Sequence, residues 1–114
     1  MNSYSKISTI LYVENDEDVR KSYETALNHH AKELYIASDG ERGLELFIKY
    51  QPDIVVTDIN IPKMNGIDMS KAIKKINPDQ QIIITTAHSE TSYFMEAIDL
   101  QISAYLLLLS VPFS

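Results

Sequence analysis

The sequence has no cysteine and no tryptophan, and only three glycines and four prolines in 114 residues. Without thiols there is neither a disulfide frame nor a thiolate metal site. Basic residues are also in deficit, ten Lys and Arg against sixteen Asp and Glu, for a net charge of -6. Such a surface repels nucleic acid and anionic membranes at long range, so any DNA contact belongs to a partner or to a further domain. Long apolar runs are missing as well. The run from Tyr105 to Leu109 is far shorter than the ~20 residues of a membrane helix, and Met1 to Ser8 is polar, with no apolar core of a signal peptide. A cytoplasmic protein is expected. What the chain does have is 45% hydrophobic residues, enough for one compact domain over residues 1–114 but not for two.

The stretch from Pro52 to Gly66 is the most informative. Ile54, Val55, Val56 and Thr57 form a short β-branched run, too brief for a helix and apolar enough for a strand buried on both faces. It stops at Asp58, where a central parallel strand would emerge into the crevice at its carboxyl end. Pro62 and Asn65-Gly66 then turn the chain toward a new helix.

The remaining elements follow in order. Ile7 to Val13 reads as a first strand ending in the acidic turn Glu14-Asn15-Asp16-Glu17-Asp18, in which Asn15 or Asp16 caps a helix. Val19, Tyr23, Ala26 and Leu27 mark that helix's buried face, and it ends near His29-His30, a pair that suits a helix C-terminus and lacks a third metal ligand. Glu33 to Ala37 is a second strand. Ser38-Asp39-Gly40-Glu41 fits a capping box for a helix turning Leu44, Phe47 and Ile48 inward. A third helix, about Gly66 to Asn77, buries Met69, Ala72, Ile73 and Ile76, with Lys71, Lys74 and Lys75 on a solvated face. Gln81 to Thr86 is the fourth strand. A fourth helix over about Ser89 to Leu100 turns Phe94, Ala97 and Ile98 inward, and Ala104 to Leu109 is the fifth strand. The alternation predicts an α/β fold, a flavodoxin-like doubly wound parallel sheet of five strands in the order 2-1-3-4-5. That order brings Glu14, Asn15 and Asp58 together.

With Pro62 four residues and Gly66 eight residues beyond Asp58, and with the acidic first turn, the sequence resembles the receiver domains of two-component response regulators. The resemblance covers almost the whole chain and is most specific in its central third. It implies that Asp58 is a phosphoacceptor, loaded from a phosphohistidine on a sensor histidine kinase. It further implies a magnesium site, Mg2+ held by Asp58, Asn15 and the backbone carbonyl of Asn60, with Glu14 acting through water. Crowded carboxylates at adjacent strand ends suit such a hard cation. Thr86 is the counterpart of the family's hydroxyl that bonds the phosphoryl oxygen, and Tyr105 of the strand-five aromatic that changes rotamer on switching. His88 falls where access of hydrolytic water is influenced. The implied chemistry is self-phosphotransfer and autodephosphorylation only, not enzymatic turnover.

The chain departs from the family in two places. Asn15 stands where the family has Asp, and Leu108 stands where it has a lysine; no lysine or arginine follows Lys75. The first change trades a charged ligand for a neutral carbonyl oxygen, and the second removes a countercharge from an acid-rich site. A competing reading is therefore a receiver-like protein-interaction module without stable phosphorylation. A phosphatase of the haloacid dehalogenase type would need a second Asp where Asn60 stands. A nucleotide binder would need glycines and free amides in the first turn, which is acidic instead. The helix that receivers place after strand five is missing from the sequence, which predicts an uncovered face and self-association as a dimer or swapped oligomer. An output domain or effector is the expected second partner.

Overall fold

The computed structural model describes residues 8–86, Leu100 and residues 102–107, with Thr86 and residues 104–107 described by their backbone alone. The elements are β1 (Ser8–Val13), α1 (Glu17–His30), β2 (Ala31–Ala37), α2 (Gly40–Tyr50), β3 (Ile54–Asp58), α3 (Gly66–Ile76), β4 (Gln81–Thr86) and β5 (Ala104–Leu107). Every neighbouring pair is parallel, and the sheet order is β2-β1-β3-β4-β5, as the alternation predicted. The order of connection reverses between β1 and β3, so a crevice opens where their carboxyl ends diverge.

The β-branched run of β3 lies at the centre of the sheet, with Val55 and Thr57 fully buried and Val56 nearly so. One face of the sheet, with Leu11, Val13, Val55, Ile82 and Ile84, packs against Leu46 and Phe47 of α2 and Ile67, Met69 and Ile73 of α3. On the other face Ile10, Tyr12, Ala31 and Val56 are joined by Leu27 of α1. Away from the crevice, Asp53 fastens β3 to β1: its Oδ2 accepts from the Thr9 amide at 3.0 Å and from the Thr9 hydroxyl at 3.2 Å. The buried Gln80 amide donates to the carbonyls of Pro52, Asp53 and Gln81 and so closes the same end.

Several local expectations need correction. No residue of α1 is fully buried: Val19 and Leu27 are half-buried, Ala26 is exposed and Tyr23 is 43% exposed. A stripe of apolar residues is covered only as far as its neighbours reach, and α1 is the one described helix on its side of the sheet. The cap of α2 is Asp39, not Ser38; its Oδ1 accepts from the Arg42 amide at 2.8 Å. Gly43 packs close against Val13 and Met69, and on that face Leu46 and Phe47 are buried while Ile48 is 56% exposed. In α3, Met69 and Ile73 are buried, but Ile76 in the last turn is 52% exposed. Lys74 does not simply lie on a solvated face, because its Nζ donates to the carbonyls of Gln80 at 2.8 Å and Pro78 at 3.2 Å. β2 begins at Ala31, two residues before the expected Glu33. The fourth helix, Leu108 and Leu109 lie outside the described residues, Leu100 excepted.

Candidate functional site

Glu14 follows the last residue of β1, and the pairing of Val13 with Thr57 sets it beside Asp58 at the carboxyl end of β3. The two acids differ in setting. Glu14 is 4% exposed, with its Oε2 accepting from the Asp16 amide at 2.9 Å, whereas Asp58 is half-buried and accepts from the Ile59 amide at 2.7 Å on Oδ1. Burial pushes the Glu14 carboxyl above its ordinary range; the Asp16 amide opposes this, the Asp58 and Asp16 charges add to it, and Arg20 offsets part. The Tyr12 phenol, one step down β1, is pushed up for the same first reason, burial, with Glu14 next.

The acidic turn is braced from behind. Asp16, not Asn15, caps α1, its Oδ1 accepting from the Val19 amide at 3.1 Å. Asn15 is exposed. Arg20, one turn into α1, donates Nη1 to the Glu14 carbonyl at 3.0 Å and reaches the Asn15 carbonyl at 3.5 Å. The sequence reading missed Arg20, since a side chain that binds backbone carbonyls has no complementary residue to reveal it.

The loop after Asp58 is held by backbone hydrogen bonds. The Gly66 amide donates to the Ile59 carbonyl at 2.9 Å, Met64 to Pro62 at 2.7 Å, and Gly40 of α2 to Pro62 at 3.1 Å, so Pro62 docks the loop on α2 as well as turning it. Lys63 takes a positive φ of 69°, and its ammonium lies 3.8 Å from Asp39. Gly66 is required by close approach, not by φ: a Cβ there would collide with the Asp58 carbonyl oxygen. Asn60 is exposed. Thr85 pairs with Asp58 across β3 and β4, and its Oγ1 donates to the Thr57 carbonyl at 3.5 Å, a bond to backbone. Thr86 ends β4 opposite Leu107, and Tyr105 pairs with Ile84; their side chains, like His88 and Leu108, are outside the described residues.

The structure thus brings Glu14 and Asp58 into electrostatic contact and sets Asn15 and Asn60 next to them along the chain. All the donors here are oxygens, which fits a hard divalent cation and not a soft one. Among the described residues, no group of three acidic or histidine side chains is gathered for a metal. The crevice supplies two carboxylates, and the exposed Asn15 follows Glu14 in the chain.

Because Glu14 gains protons more readily in the folded state, its contribution to stability is present at low pH and is lost as pH rises through its folded-state pKa. Glu14→Gln keeps an acceptor for the Asp16 amide and removes the buried charge. It is expected to raise stability at neutral pH by about 1 kcal/mol, roughly 4 °C in Tm for a chain of this size, and to have no effect in acid below the unfolded carboxylate range. Thermal melts of both proteins between acid and neutral pH measure this; a variant melting lower than the parent at neutral pH would contradict it.

A family model described as the response regulator receiver domain matches residues 10–107. The chain is similar to the transcriptional regulatory protein DegU of Brevibacillus brevis, 36% identical over 69 residues, which are 60% of this chain and 29% of DegU. It is similar to the regulatory protein AtoC of Escherichia coli, 33% identical over 92 residues, which are 81% of this chain and 20% of AtoC. The chain therefore spans less than a third of the length of these two relatives. Among solved structures, the N-terminal domain of an uncharacterized protein from Wolinella succinogenes superposes with a TM-score of 0.83 at 38% identity, covering 89% of this chain and 82% of that one.

Proposed function

The chain belongs to the response regulator receiver domains, and from that premise we propose that Asp58 accepts a phosphoryl group from the phosphohistidine of a sensor histidine kinase. One observation carries the reading: Asp58 stands at the carboxyl end of the central strand, beside a buried carboxylate at the crevice between β1 and β3. The Ile59 amide fixes the tilt of the Asp58 carboxylate by holding Oδ1, and the attack comes from a carboxylate oxygen. A bond forms from that oxygen to phosphorus as the bond from phosphorus to the histidine nitrogen breaks. The nitrogen keeps the electron pair, and the product is an acyl phosphate. Water later attacks phosphorus, releasing inorganic phosphate and restoring the carboxylate.

Glu14, Asn15, Asp58 and the Asn60 carbonyl are the residues that would hold Mg2+, Glu14 through water. When bound, the ion neutralises charge on the phosphoryl oxygens. The Thr86 hydroxyl is assigned to a phosphoryl oxygen and Tyr105 to the change that follows. The chemistry is confined to the chain's own carboxylate, so we do not read it as an enzyme. The partners are the kinase and an output domain or effector, in keeping with relatives named as regulators whose length this chain only partly covers. We place the domain in the cytoplasm; no helix of the described residues is long and apolar enough to cross a membrane. Its net charge of -6 leaves DNA contact to another domain or protein.

The exposed Asn15, standing where the family has an acid, favours a second reading, an interaction module without stable phosphorylation. Incubation with acetyl phosphate and Mg2+ separates the two. The first reading expects a single hydroxylamine-labile phosphoryl adduct by intact mass, absent when EDTA removes the metal. No adduct at any donor concentration, in a chain that still folds, would leave only the second.

A further inference from the structure

We propose that Arg20 is the positioning residue of this site, a clamp whose guanidinium holds the backbone of Glu14 and Asn15 in the conformation that presents their side chains to the cation and to Asp58. The inference rests on the phosphoacceptor reading for what the turn is presented to, but not for the clamp itself.

α1 carries Glu17 and Glu24, three residues before and four after Arg20, either of which could pair with it on the helix surface. Lys21 does pair in this way, with Glu17 at 3.6 Å. Arg20 makes no ion pair among the described residues. Its Nη1 instead donates to the Glu14 carbonyl at 3.0 Å and reaches the Asn15 carbonyl at 3.5 Å, two successive residues of the acidic turn. These are the positions from which the metal ligands project. A charged donor shared between consecutive carbonyls fixes the peptide plane between them, and charge-assisted bonds are the stronger kind. The Asp16 amide on Glu14 and the Asp16 cap on Val19 then close the turn from its other side. The charge of Arg20 also acts on the Glu14 carboxyl and the Tyr12 phenol, lowering both against their burial.

Lys63, in the loop after β3, faces Asp39. With Leu108 in place of the family lysine, Arg20 is the basic side chain that the described residues bring to the acidic turn. It acts from behind the turn, through backbone, so its effect on cation binding has a sign that separates positioning from charge. A nearby positive charge repels Mg2+, and its removal alone tightens binding. A lost clamp loosens the ligands and weakens binding, as loss of an outer partner does, typically by tenfold or more.

The test compares the parent chain with Arg20→Met, which keeps the stem and loses the charge and donors, and with Arg20→Lys, which keeps the charge. Without metal, amide hydrogen exchange at Asn15 and Asp16 is expected to speed about tenfold in Arg20→Met, with the exchange of β3 amides unchanged. Mg2+ titration is expected to show about tenfold weaker binding in Arg20→Met. Arg20→Lys falls between the two proteins in both readouts. Unchanged exchange at both amides overturns the clamp whatever the metal result, and so does unchanged or tighter Mg2+ binding. A parent that binds no Mg2+ and takes no phosphoryl group defeats the phosphoacceptor reading, while the metal-free exchange still decides the role of Arg20. Should Arg20→Met fail to fold, Arg20→Lys decides: faster exchange at Asn15 and Asp16 with β3 amides unchanged supports the clamp, and exchange indistinguishable from the parent overturns it.

Discussion

Asp58→Asn is expected to abolish the phosphoryl adduct, to below 1% of the parent's occupancy at matched acetyl phosphate, a bound set by roughly a hundredfold detection range in intact mass. The amide that replaces the carboxylate keeps the oxygen held by Ile59 but is a poor nucleophile toward phosphorus. Glu14, the neighbouring carboxylate, cannot stand in. It is 4% exposed, and one oxygen is occupied by the Asp16 amide. Asp53, at the other end of β3, is the matched control. Its side chain bonds Thr9, so Asp53→Asn is expected to cost some stability and to leave the adduct intact. Asp58→Asn also removes one of the charges that raise Glu14, so the Glu14 carboxyl is expected to titrate lower in that variant, followed by its side-chain carbon shift. An adduct surviving in Asp58→Asn would remove Asp58 from the role assigned to it, and a Glu14 titration that does not move downward would show that the two carboxylates do not interact.

The central strand and its loop were legible in the sequence for a physical reason. Four β-branched residues ending on an acid, then Pro62 and Gly66 at fixed offsets, admit one local geometry, because each residue type satisfies a constraint that few others could. The sheet order was legible from the alternation of elements, since parallel connections are right-handed and leave few topologies. The helix faces were read less well. Tyr23, Ile48 and Ile76 belong to apolar stripes and are each more than 40% exposed. Periodicity reports that a stripe exists, but how much of it is covered depends on the width of the opposing layer. The cap of α2 was misplaced by one residue because Ser38 and Asp39 are both good acceptors, and only the helix phase, set by packing of Gly43 against Val13 and Met69, chooses between them. Arg20 was invisible for a different reason: it recognises main-chain oxygens, which every residue has.

Gly66→Ala is expected to be among the most damaging small substitutions in the described fold, with Gly40→Ala, whose Cβ would collide with the Met64 carbonyl oxygen. Gly66 does not adopt a positive φ, so an alanine meets no intrinsic backbone penalty there. Its methyl group would instead be driven into the Asp58 carbonyl oxygen and would lie 3.0 Å from the Asp58 carbonyl carbon and the Ile59 Cα. These are backbone atoms at the end of the central strand and just beyond it, and they cannot swing aside as a side-chain tip can. The start of α3 must therefore back away, which breaks the bond of 2.9 Å from the Gly66 amide to the Ile59 carbonyl and drags on Ser70, whose buried hydroxyl donates to the Gly66 carbonyl at 2.7 Å. Overpacking of this kind costs about 3 kcal/mol or more, a large part of a small domain's net stability, and corresponds to a fall in Tm of roughly 12 °C or more. Gly43→Ala is the contrast: its Cβ would come within 2.8 Å of the Met69 sulfur and 2.9 Å of a Val13 methyl, side-chain atoms of which the thioether can shift. It is expected to lose only about a third as much, ~1 kcal/mol. Because the strain in Gly66→Ala is delivered to the Asp58 peptide itself, whatever folded fraction remains is expected to take phosphoryl from acetyl phosphate at least tenfold more slowly, in line with the cost of an ångström-scale displacement of a reacting group. Thermal melts and adduct formation, measured on both variants at a temperature where each is folded, test the two effects separately. A Gly66→Ala chain that melts within 2 °C of the parent, on a scale of roughly 4 °C per kcal/mol, would show that α3 can withdraw from β3 at little cost and that the glycine is not what seats the loop.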